Sequence, residues 1–496
     1  MTRSRSFGAR SAADTAAIPS SWAALVLLCA ANFAVLLDSQ SVILALPTLA
    51  RDLQMSAGEA QWVLSAKLVT FGGLLILGGR AADRLGRRRI FLIGTATFLV
   101  SSAVCGLAWN GGVIIAARAV SGVSAALMVP TALSILLAVF PEGRRRNMAL
   151  AGWAGIGGIG ATAGLLVGGL LTESLGWQWV FFINVPLALI VLASAPVLLP
   201  ESRAARQPGS YDVAGAVTST AALVALILAV VRAPAAGWTS ASTLGLVVAA
   251  AALLGVFAVV ERRSSAPLVP PTLLRRPALV GGNLVTVTMG MAAFGLSVTI
   301  SMYGQVVLGY GPLRFGVLQS VMPTLAFVGA YVGQAVVTRI GFRPVVAACL
   351  VLMAAGSLLL SRVPVEGSYV QDILWGLVVF GPGLGAGTAA ASVAALSRVP
   401  ERDSGVVSGL NVASLQVGGA LGVAVVTSVT ASFTAAPGGP AEMTAGLRAG
   451  FLACAVFVLV GLVLGLLLLR RSASTSDGRE TADRPPASRP EAALPG

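Results

Sequence analysis

The stretch GGRAADRLGRRR, residues 78–89, sets one aspartate and five arginines between two long apolar segments. A related stretch, GQAVVTRIGFRP at residues 333–344, holds the corresponding place in the second half of the chain. The two stretches agree at four pairs of positions: Gly78 with Gly333, Arg84 with Arg339, Gly86 with Gly341 and Arg88 with Arg343. This internal repeat predicts two related halves with the same order of helices.

The composition is that of a membrane protein. Of the 496 residues, 56% are hydrophobic and only 10% are charged, and the mean hydropathy is +0.88. A helix that crosses a bilayer needs about 20 mainly apolar residues, and about fourteen such segments lie between residues 22 and 469. The sequence therefore predicts an all-α membrane protein with about 14 transmembrane helices.

The order of these segments divides the chain into five parts. Residues 1–21 are expected to form a cytoplasmic tail, and residues 22–200 an N-terminal bundle of six helices. A central linker at 201–278 carries two extra transmembrane helices, and 279–470 form a C-terminal bundle of six. The tail at 471–496 is polar and rich in proline, so we expect it to be disordered and cytoplasmic.

The arginines predict the orientation of the chain in the membrane, because cytoplasmic loops carry an excess of basic residues. If the N-terminus is cytoplasmic, most arginines outside the spans fall on the cytoplasmic side. The loops on the other side hold Arg51, Arg232, Arg314, Arg362 and Arg448. We therefore expect a multi-pass protein of the plasma membrane with both termini in the cytoplasm and its basic loops at the lipid surface. Basic residues confined to short loops argue against nucleic acid as a partner.

The residue types argue against an enzyme. The chain has no histidine, which is the commonest general base and metal ligand. Its cysteines lie singly in different apolar segments, without the paired spacing of a metal site or a disulfide framework. They are Cys29, Cys105, Cys349 and Cys454. No catalytic residue, metal site or cofactor is predicted.

The first polar stretch resembles the G-x-x-x-D-R-x-G-R-R signature of the major facilitator superfamily. The matching residues are Gly79, Asp83, Arg84, Gly86, Arg87 and Arg88. The glycines permit a tight turn between two helices, and the aspartate can accept hydrogen bonds at a helix N-terminus. The resemblance implies the superfamily's fold of two six-helix bundles, with this loop acting as a conformational switch.

Further stretches are similar to those of the fourteen-helix drug:proton antiporters of that superfamily. They are LLDSQSVILALP (36–47), RAVSGVSAALMVPTAL (118–133), GWQWVFFINVPLAL (176–189), MYGQVVLGYGPLRFGVLQSVMP (302–323) and GLNVASLQVGGALGVAV (409–425). Two extra helices, at about 212–231 and 243–260, also fit that group. The resemblance implies proton-coupled export of drugs or antibiotics by alternating access. The proton gradient is then the energy source, and no cofactor is needed.

The chain departs from the family pattern in three helices. In the first, Gln40 and Ile43 stand where the family usually has threonine and asparagine, and in the second Lys67 replaces a tyrosine. In the fifth, Leu165 takes the place of the antiporter proline. The helix-packing glycines of that fifth-helix motif are kept as Gly164, Gly168 and Gly169.

Three ionisable residues lie deep in the predicted spans, namely Asp38, Lys67 and Arg118. Counting at about 1.5 Å per residue places all three about 9–13 Å from the same ends of their helices. An unpaired charge near the bilayer centre costs from about 2.5 to above 10 kcal/mol, so these groups are expected to pair.

The hypothesis is a proton-coupling site in which Asp38, by family resemblance, carries the proton and Arg118 is its fixed countercharge. Lys67 is either a partner of Asp38 or a second titrating group. The alternative is that Lys67 extends outward to the membrane surface while the other two make a structural pair.

The second half offers polar rather than charged candidates. Asn283, Tyr303, Gln305, Gln319, Asn411 and Gln416 are candidates to line a substrate path. Each could equally be an ordinary hydrogen-bonding residue between helices. The scarcity of charge suggests a small amphiphilic or hydrophobic substrate, with Asp38 available to a cationic group. The chain is expected to work as a monomer.

Two other functions stay open from the sequence. One is a proton-coupled symporter of metabolites or peptides, which the missing fifth-helix proline keeps possible. The other is a membrane receptor or scaffold that transports nothing.

Overall fold

In a computed structural model the chain is built from long helices. The structure describes residues 18–140, 143–201, 213–264, 267, 275–397, 399, 401–433 and 439–469. No strand occurs in these ranges. The predicted tails fall outside them, apart from residues 18–21, which belong to the first helix. The predicted all-α membrane fold is confirmed.

The first half begins with five long helices and ends with a broken one. The long helices are α1 (Ile18–Asp52), α2 (Ala57–Leu85), α3 (Arg87–Gly106), α4 (Gly111–Val139) and α5 (Arg144–Ser174). The sixth span consists of α6 (Trp179–Phe182) and α7 (Asn184–Leu198). Two further helices follow, α8 (Val213–Ala236) and α9 (Ala241–Arg263).

The second half repeats this order with π-helical turns in two of its spans. It consists of α10 (Pro277–Met302) with a π-helix at Tyr303–Val307, α11 (Pro312–Gln319), α12 (Val321–Ile340), α13 (Phe342–Leu360), a π-helix at Tyr369–Ile373 with α14 (Leu374–Leu396), α15 (Glu401–Phe433) and α16 (Pro440–Leu468). The described helices thus correspond in number and order to the about fourteen apolar segments predicted from the sequence. By length and composition, twelve of the described spans could cross a membrane. The other two are α2 and α8, and the apolar stretch of α8 is Val217–Val230.

Because the spans alternate in direction, α1 begins and α16 ends on the same side of the bundle. We call this the terminal side, and the other the opposite side. The inserted helix α8 lies against both halves. Thr220 on α8 packs against Gly73 of α2, and Ser428 Oγ on α15 donates a 2.9 Å hydrogen bond to the Val230 oxygen.

The repeated stretches adopt the same backbone turn in both halves. Gly86 joins α2 to α3 and Gly341 joins α12 to α13, with φ angles of 111° and 81°. Positive φ is the region that glycine adopts at little cost. A single glycine therefore reverses the chain in each half, as the sequence indicated.

The repeated arginines also make equivalent contacts. Arg88 Nη1 donates to the Leu199 oxygen at 3.2 Å, just after the last helix of the first half. Arg343 Nη2 donates to the Leu466 oxygen at 3.0 Å, near the end of the last helix of the second half. Helix C-termini carry unpaired carbonyls and partial negative charge, which favours such donors. The side chains of Asp83 and Arg84 lie outside the described part of the structure.

The first glycine of each repeat lies where two helices touch. A Cβ atom at Gly78 would overlap the Ala126 carbonyl oxygen of α4, and one at Gly333 would overlap the Ala386 side chain of α14. Small residues at such crossings let membrane helices approach closely. A Cβ at the neighbouring Gly79 would meet only Pro130, at an ordinary 3.6 Å.

We predict that Gly78→Ala and Gly333→Ala each destabilise the protein by about 1–3 kcal/mol, because overpacking forces helices apart. Gly79→Ala is the matched control, because the added methyl group fits there. It should leave stability unchanged or raise it by up to about 1 kcal/mol through the higher helix propensity of alanine. Thermal unfolding of the purified protein in detergent measures all three. Equal losses for Gly78→Ala and Gly79→Ala would contradict the packing account.

Candidate functional site

The three deep charged residues meet at one point inside the first half. Lys67 Nζ lies 2.5 Å and Arg118 Nη1 lies 2.7 Å from the same oxygen, Asp38 Oδ2. The exposed fractions of Asp38, Lys67 and Arg118 are 1%, 2% and 1%. Helices α1, α2 and α4 each contribute one of the three, so the cluster ties these helices together.

Lys67 points inward. Besides Asp38, its Nζ donates to Ser39 Oγ at 2.7 Å and to the Val35 oxygen at 3.3 Å. All three acceptors belong to α1, and they match the three donors of an ammonium group. The outward-extending arrangement of Lys67 is therefore not the one found.

Arg118 is fixed from two further directions. Its Nε donates to the Val63 oxygen of α2 at 3.1 Å, and its guanidinium carbon lies 5.8 Å from the centre of the Phe181 ring. A cation over an aromatic face is attracted by the ring quadrupole. Arg118 is thus held by hydrogen bonds to α1 and α2 and by the Phe181 ring.

Two polar members of the site are not among the residues predicted from the sequence. Ser39 accepts from Lys67, as described above, and Asn184 Nδ2 approaches the second oxygen of Asp38, Oδ1, at 3.4 Å. Asn184 is buried and stands at the start of α7, directly after the break that separates α6 from α7. The I-N-V-P stretch at 183–186 could have pointed to Asn184, because it places a polar residue and a proline inside an apolar span.

The cluster holds more positive than negative charge. Two cations share one carboxylate, so with all three groups ionised the net charge is positive, and the arrangement is buried. A charge in that setting is costly, and removing one proton from the cluster makes it neutral. Chemically, the site is therefore suited to binding and releasing a proton.

The predicted polar candidates of the second half mostly bond to protein. Asn411 Nδ2 donates to Thr286 Oγ1 at 3.0 Å and lies 3.4 Å from Asn283 Oδ1, which joins α15 to α10. Tyr303 donates to the Pro364 oxygen at 2.6 Å, and Gln319 Nε2 lies 3.4 Å from the Ser297 oxygen. These four residues are buried and hold helices together.

The other two candidates lie elsewhere. Gln305 lines a cavity on the opposite side of the bundle, where its amide donates to Ser301 Oγ at 2.7 Å. Gln416 is half-buried and packs beside Gly72 of α2. The structure therefore does not gather the six candidates into one site.

The glycine motif of α5 brings three helices together. A Cβ at Gly164 would crowd Gln40 of α1, one at Gly168 would overlap Ser41, and one at Gly169 would overlap Pro312 of α11. Ser41 Oγ also donates to the Gly164 oxygen at 2.8 Å. Leu165, at the family's proline position, is buried within a continuous α5. The glycines thus link the helix that carries Asp38 to the second half.

A cavity of about 560 Å³ lies between the halves on the opposite side. Its walls come from the ends of α1, α2, α10, α15 and α16 near the first residues of α11. Among the described residues, no group of three or more His, Cys, Asp or Glu side chains is arranged to hold a metal, and the four cysteines are free and buried.

Comparisons with known proteins agree on one family. The model of the Major Facilitator Superfamily matches residues 28–423 and 316–494. The tetracenomycin C resistance and export protein of Streptomyces glaucescens is 35% identical over 83% of this chain and 76% of that protein. The puromycin resistance protein of Streptomyces alboniger is 36% identical over 84% of this chain and 83% of that protein.

The fold matches that of a solved transporter structure. A bacterial homologue of the human lysosomal transporter Spinster, in an inward-facing and unoccupied conformation, superposes with a TM-score of 0.65. The identity is 16%, and the match covers 91% of this chain and 97% of that one. At this identity the likeness concerns the fold alone.

We predict an unequal response to removing members of the charged cluster. Asp38→Asn leaves two buried cations without a counter-charge and should destabilise the protein by about 3–5 kcal/mol. Lys67→Met leaves the neutral Asp38–Arg118 pair and should cost less than half as much. Thermal unfolding of the purified variants tests this order; an equal or larger loss for Lys67→Met would contradict it.

Proposed function

This chain belongs to the major facilitator superfamily, and on that premise we propose that it exports antibiotics or related drugs across the cell membrane in exchange for protons. The named relatives are a tetracenomycin C export protein and a puromycin resistance protein, which supports small-molecule export. The observation that carries the coupling is the buried site where Lys67 and Arg118 share one oxygen of Asp38.

The coupling proton is the one shared between Lys67 Nζ and Asp38 Oδ2, which lie 2.5 Å apart. With that proton bound the cluster has a net positive charge, and after its release Asp38 and Arg118 form a neutral pair. Arginine does not deprotonate under physiological conditions, so Arg118 is the constant member. Asn184 faces the other oxygen of Asp38 and holds the carboxylate in place in both states.

Proton release changes how α2 is held against α1. A protonated Lys67 donates to three acceptors on α1, and a neutral amine has only two N–H groups to offer them. The same helix α1 touches the second half, where Ser301 Oγ lies 3.3 Å from the Ile43 oxygen. Loosening α1 from α2 is therefore the event that biases the two halves toward the other conformation.

The repeated turn between α2 and α3 is proposed as the conformational switch, formed by Gly79, Asp83, Arg84, Gly86, Arg87 and Arg88. Arg88 holds the end of α7 through the Pro196 and Leu199 oxygens, at 3.1 and 3.2 Å. Glu201 lies 3.8 Å from the same arginine. These contacts of Arg88 hold the start of α3 against the end of α7. A movement of α2 relative to α7 would break them.

The remaining features of the proposal concern the whole chain. Both termini face the cytoplasm, two six-helix bundles at 22–200 and 279–470 flank the inserted pair, and the protein works as a monomer. It has no enzymatic activity and uses no cofactor beyond the proton gradient. Membrane lipids contact its apolar exterior, and its arginine-rich loops lie at the cytoplasmic lipid surface.

We predict that Asp38→Asn and Lys67→Tyr abolish proton-driven export, because each removes a group that shares the coupling proton. Proteoliposomes carrying a pH gradient and loaded with tetracenomycin C, the compound named in the first relative, measure substrate movement and proton flux together. Asp52→Asn is the matched control, since Asp52 lies on the same helix and accepts a hydrogen bond from Trp177 Nε1. Undiminished coupling in both site variants would overturn the proposed proton site.

We predict that the terminal side is cytoplasmic. A cysteine at Ser174, at the end of α5, should react with a membrane-impermeant maleimide added outside intact cells, and a cysteine at Arg144 should not. The four native cysteines are buried, so a parent with all four replaced by serine or alanine serves as the blank. The reverse labelling pattern would overturn the orientation.

A further inference from the structure

We infer that the opposite-side cavity is a substrate site for neutral or anionic amphiphiles and that it disfavours cationic drugs. This inference rests on the proposed export function and adds the substrate class. The site is separate from the charged cluster. Leu46 of the cavity wall follows Asp38 by eight residues, which is about 12 Å along α1.

The cavity has the size and lining of a small-molecule site. Its volume of about 560 Å³ falls within the roughly 300–1,000 Å³ that drug-sized ligands occupy. Most of its walls are apolar, among them Leu46, Val298, Met302, Val426 and Leu447. Apolar walls reward ligands that bring apolar surface, which fits a molecule with a hydrophobic body.

The charge of the lining has one sign. Arg51 is the charged residue among those that line the cavity, and no carboxylate lines it within the described residues. Three acids are adjacent in sequence to lining residues, and each is engaged elsewhere. Glu442, beside Met443, accepts from the Gly439 backbone at 3.2 Å. Asp52 accepts from Trp177 Nε1 at 3.0 Å, and Glu59 accepts from the Ser56 backbone and hydroxyl, each at 2.8 Å.

Asp38 does not supply the missing acid. One of its oxygens receives Lys67 and Arg118, and the other faces Asn184. It is also 1% exposed. A cationic group of a substrate therefore finds no free carboxylate at the cluster, in contrast to the use of Asp38 suggested by the sequence.

One side chain of the cavity wall also carries a buried donor without a partner. Gln61 is 3% exposed and lines the cavity, and its Nε2 has no hydrogen-bond partner among the described residues. A buried donor without a partner is unfavourable, and a ligand acceptor would satisfy it. A carbonyl, carboxylate or sulfonate oxygen meets this requirement, and an ammonium group does not.

Two ions of nearly the same shape and opposite charge provide the test. Tetraphenylborate should bind the purified full-length protein in neutral detergent at least about tenfold more tightly than tetraphenylphosphonium, measured by calorimetry without a proton gradient. Arg51→Gln should reduce that ratio about five- to tenfold. Arg362→Gln is the matched control, because Arg362 is exposed on the same side and does not line the cavity. Equal binding of the two ions, tighter binding of the phosphonium, or no effect of Arg51→Gln would overturn the inference.

The amide of Gln61 is tested with an anionic probe that carries acceptors. Gln61→Leu should weaken binding of 8-anilino-1-naphthalenesulfonate about three- to tenfold. Tetraphenylborate has no hydrogen-bond acceptor, so the same substitution should change its dissociation constant by less than about twofold. An equal loss for both probes would mean that the variant has changed the cavity rather than removed a donor, and would overturn the role of Gln61.

Two further measurements distinguish a bound lipid from a substrate, and binding from transport. Displacement of tetraphenylborate by phosphatidylglycerol but not by phosphatidylcholine would identify the occupant as an anionic lipid and overturn the assignment to substrate. Because binding is measured without a gradient, its result does not depend on transport. A preference for tetraphenylborate without proton-driven export would reject the proposed function and keep the anion-selective cavity. Proton-driven export without that preference would keep the proposed function and reject the anion-selective cavity.

Discussion

A single buried carboxylate organises the first half of this protein. Asp38 accepts from Lys67 and Arg118 through the same oxygen, at 2.5 and 2.7 Å. Neither cation would be stable at that depth without it, since an unpaired charge in the membrane interior is costly. Because the three residues belong to α1, α2 and α4, the need to neutralise charge becomes a constraint on how these helices pack.

That constraint extends to the second half through α1. Ser41, three residues after Asp38, bonds to Gly164 of α5, and the neighbouring glycines bring α5 against α11. Ile43 of α1 lies at hydrogen-bonding distance from Ser301 of α10. A change in the charge of the cluster is thus a few residues away from the surface where the two halves meet. This short path means that the proposed proton coupling needs no separate relay between the cluster and the second half.

The proposed proton site and the proposed substrate site differ in chemistry. The cluster is polar and buried, and both oxygens of Asp38 have partners, which suits a proton rather than a drug-sized molecule. The opposite-side cavity is mainly apolar and is bordered by Arg51 and the unpaired amide of Gln61, which suits an amphiphile. Both regions are built on α1 and α2. Substrate occupancy and protonation can therefore influence each other without sharing a binding residue.

The sequence by itself determined the all-α membrane class, the order of its long apolar helices, the repeated turns and the three deep charges, because hydropathy, glycine and charge act locally or through topology. It identified Asp38, Lys67 and Arg118 by depth alone. The direction of Lys67, the parts played by Ser39 and Asn184, and the scattering of the six polar candidates of the second half were decided by the tertiary structure. The rotation of one helix about its axis depends on every helix that packs against it, and depth along a helix carries no information about that rotation.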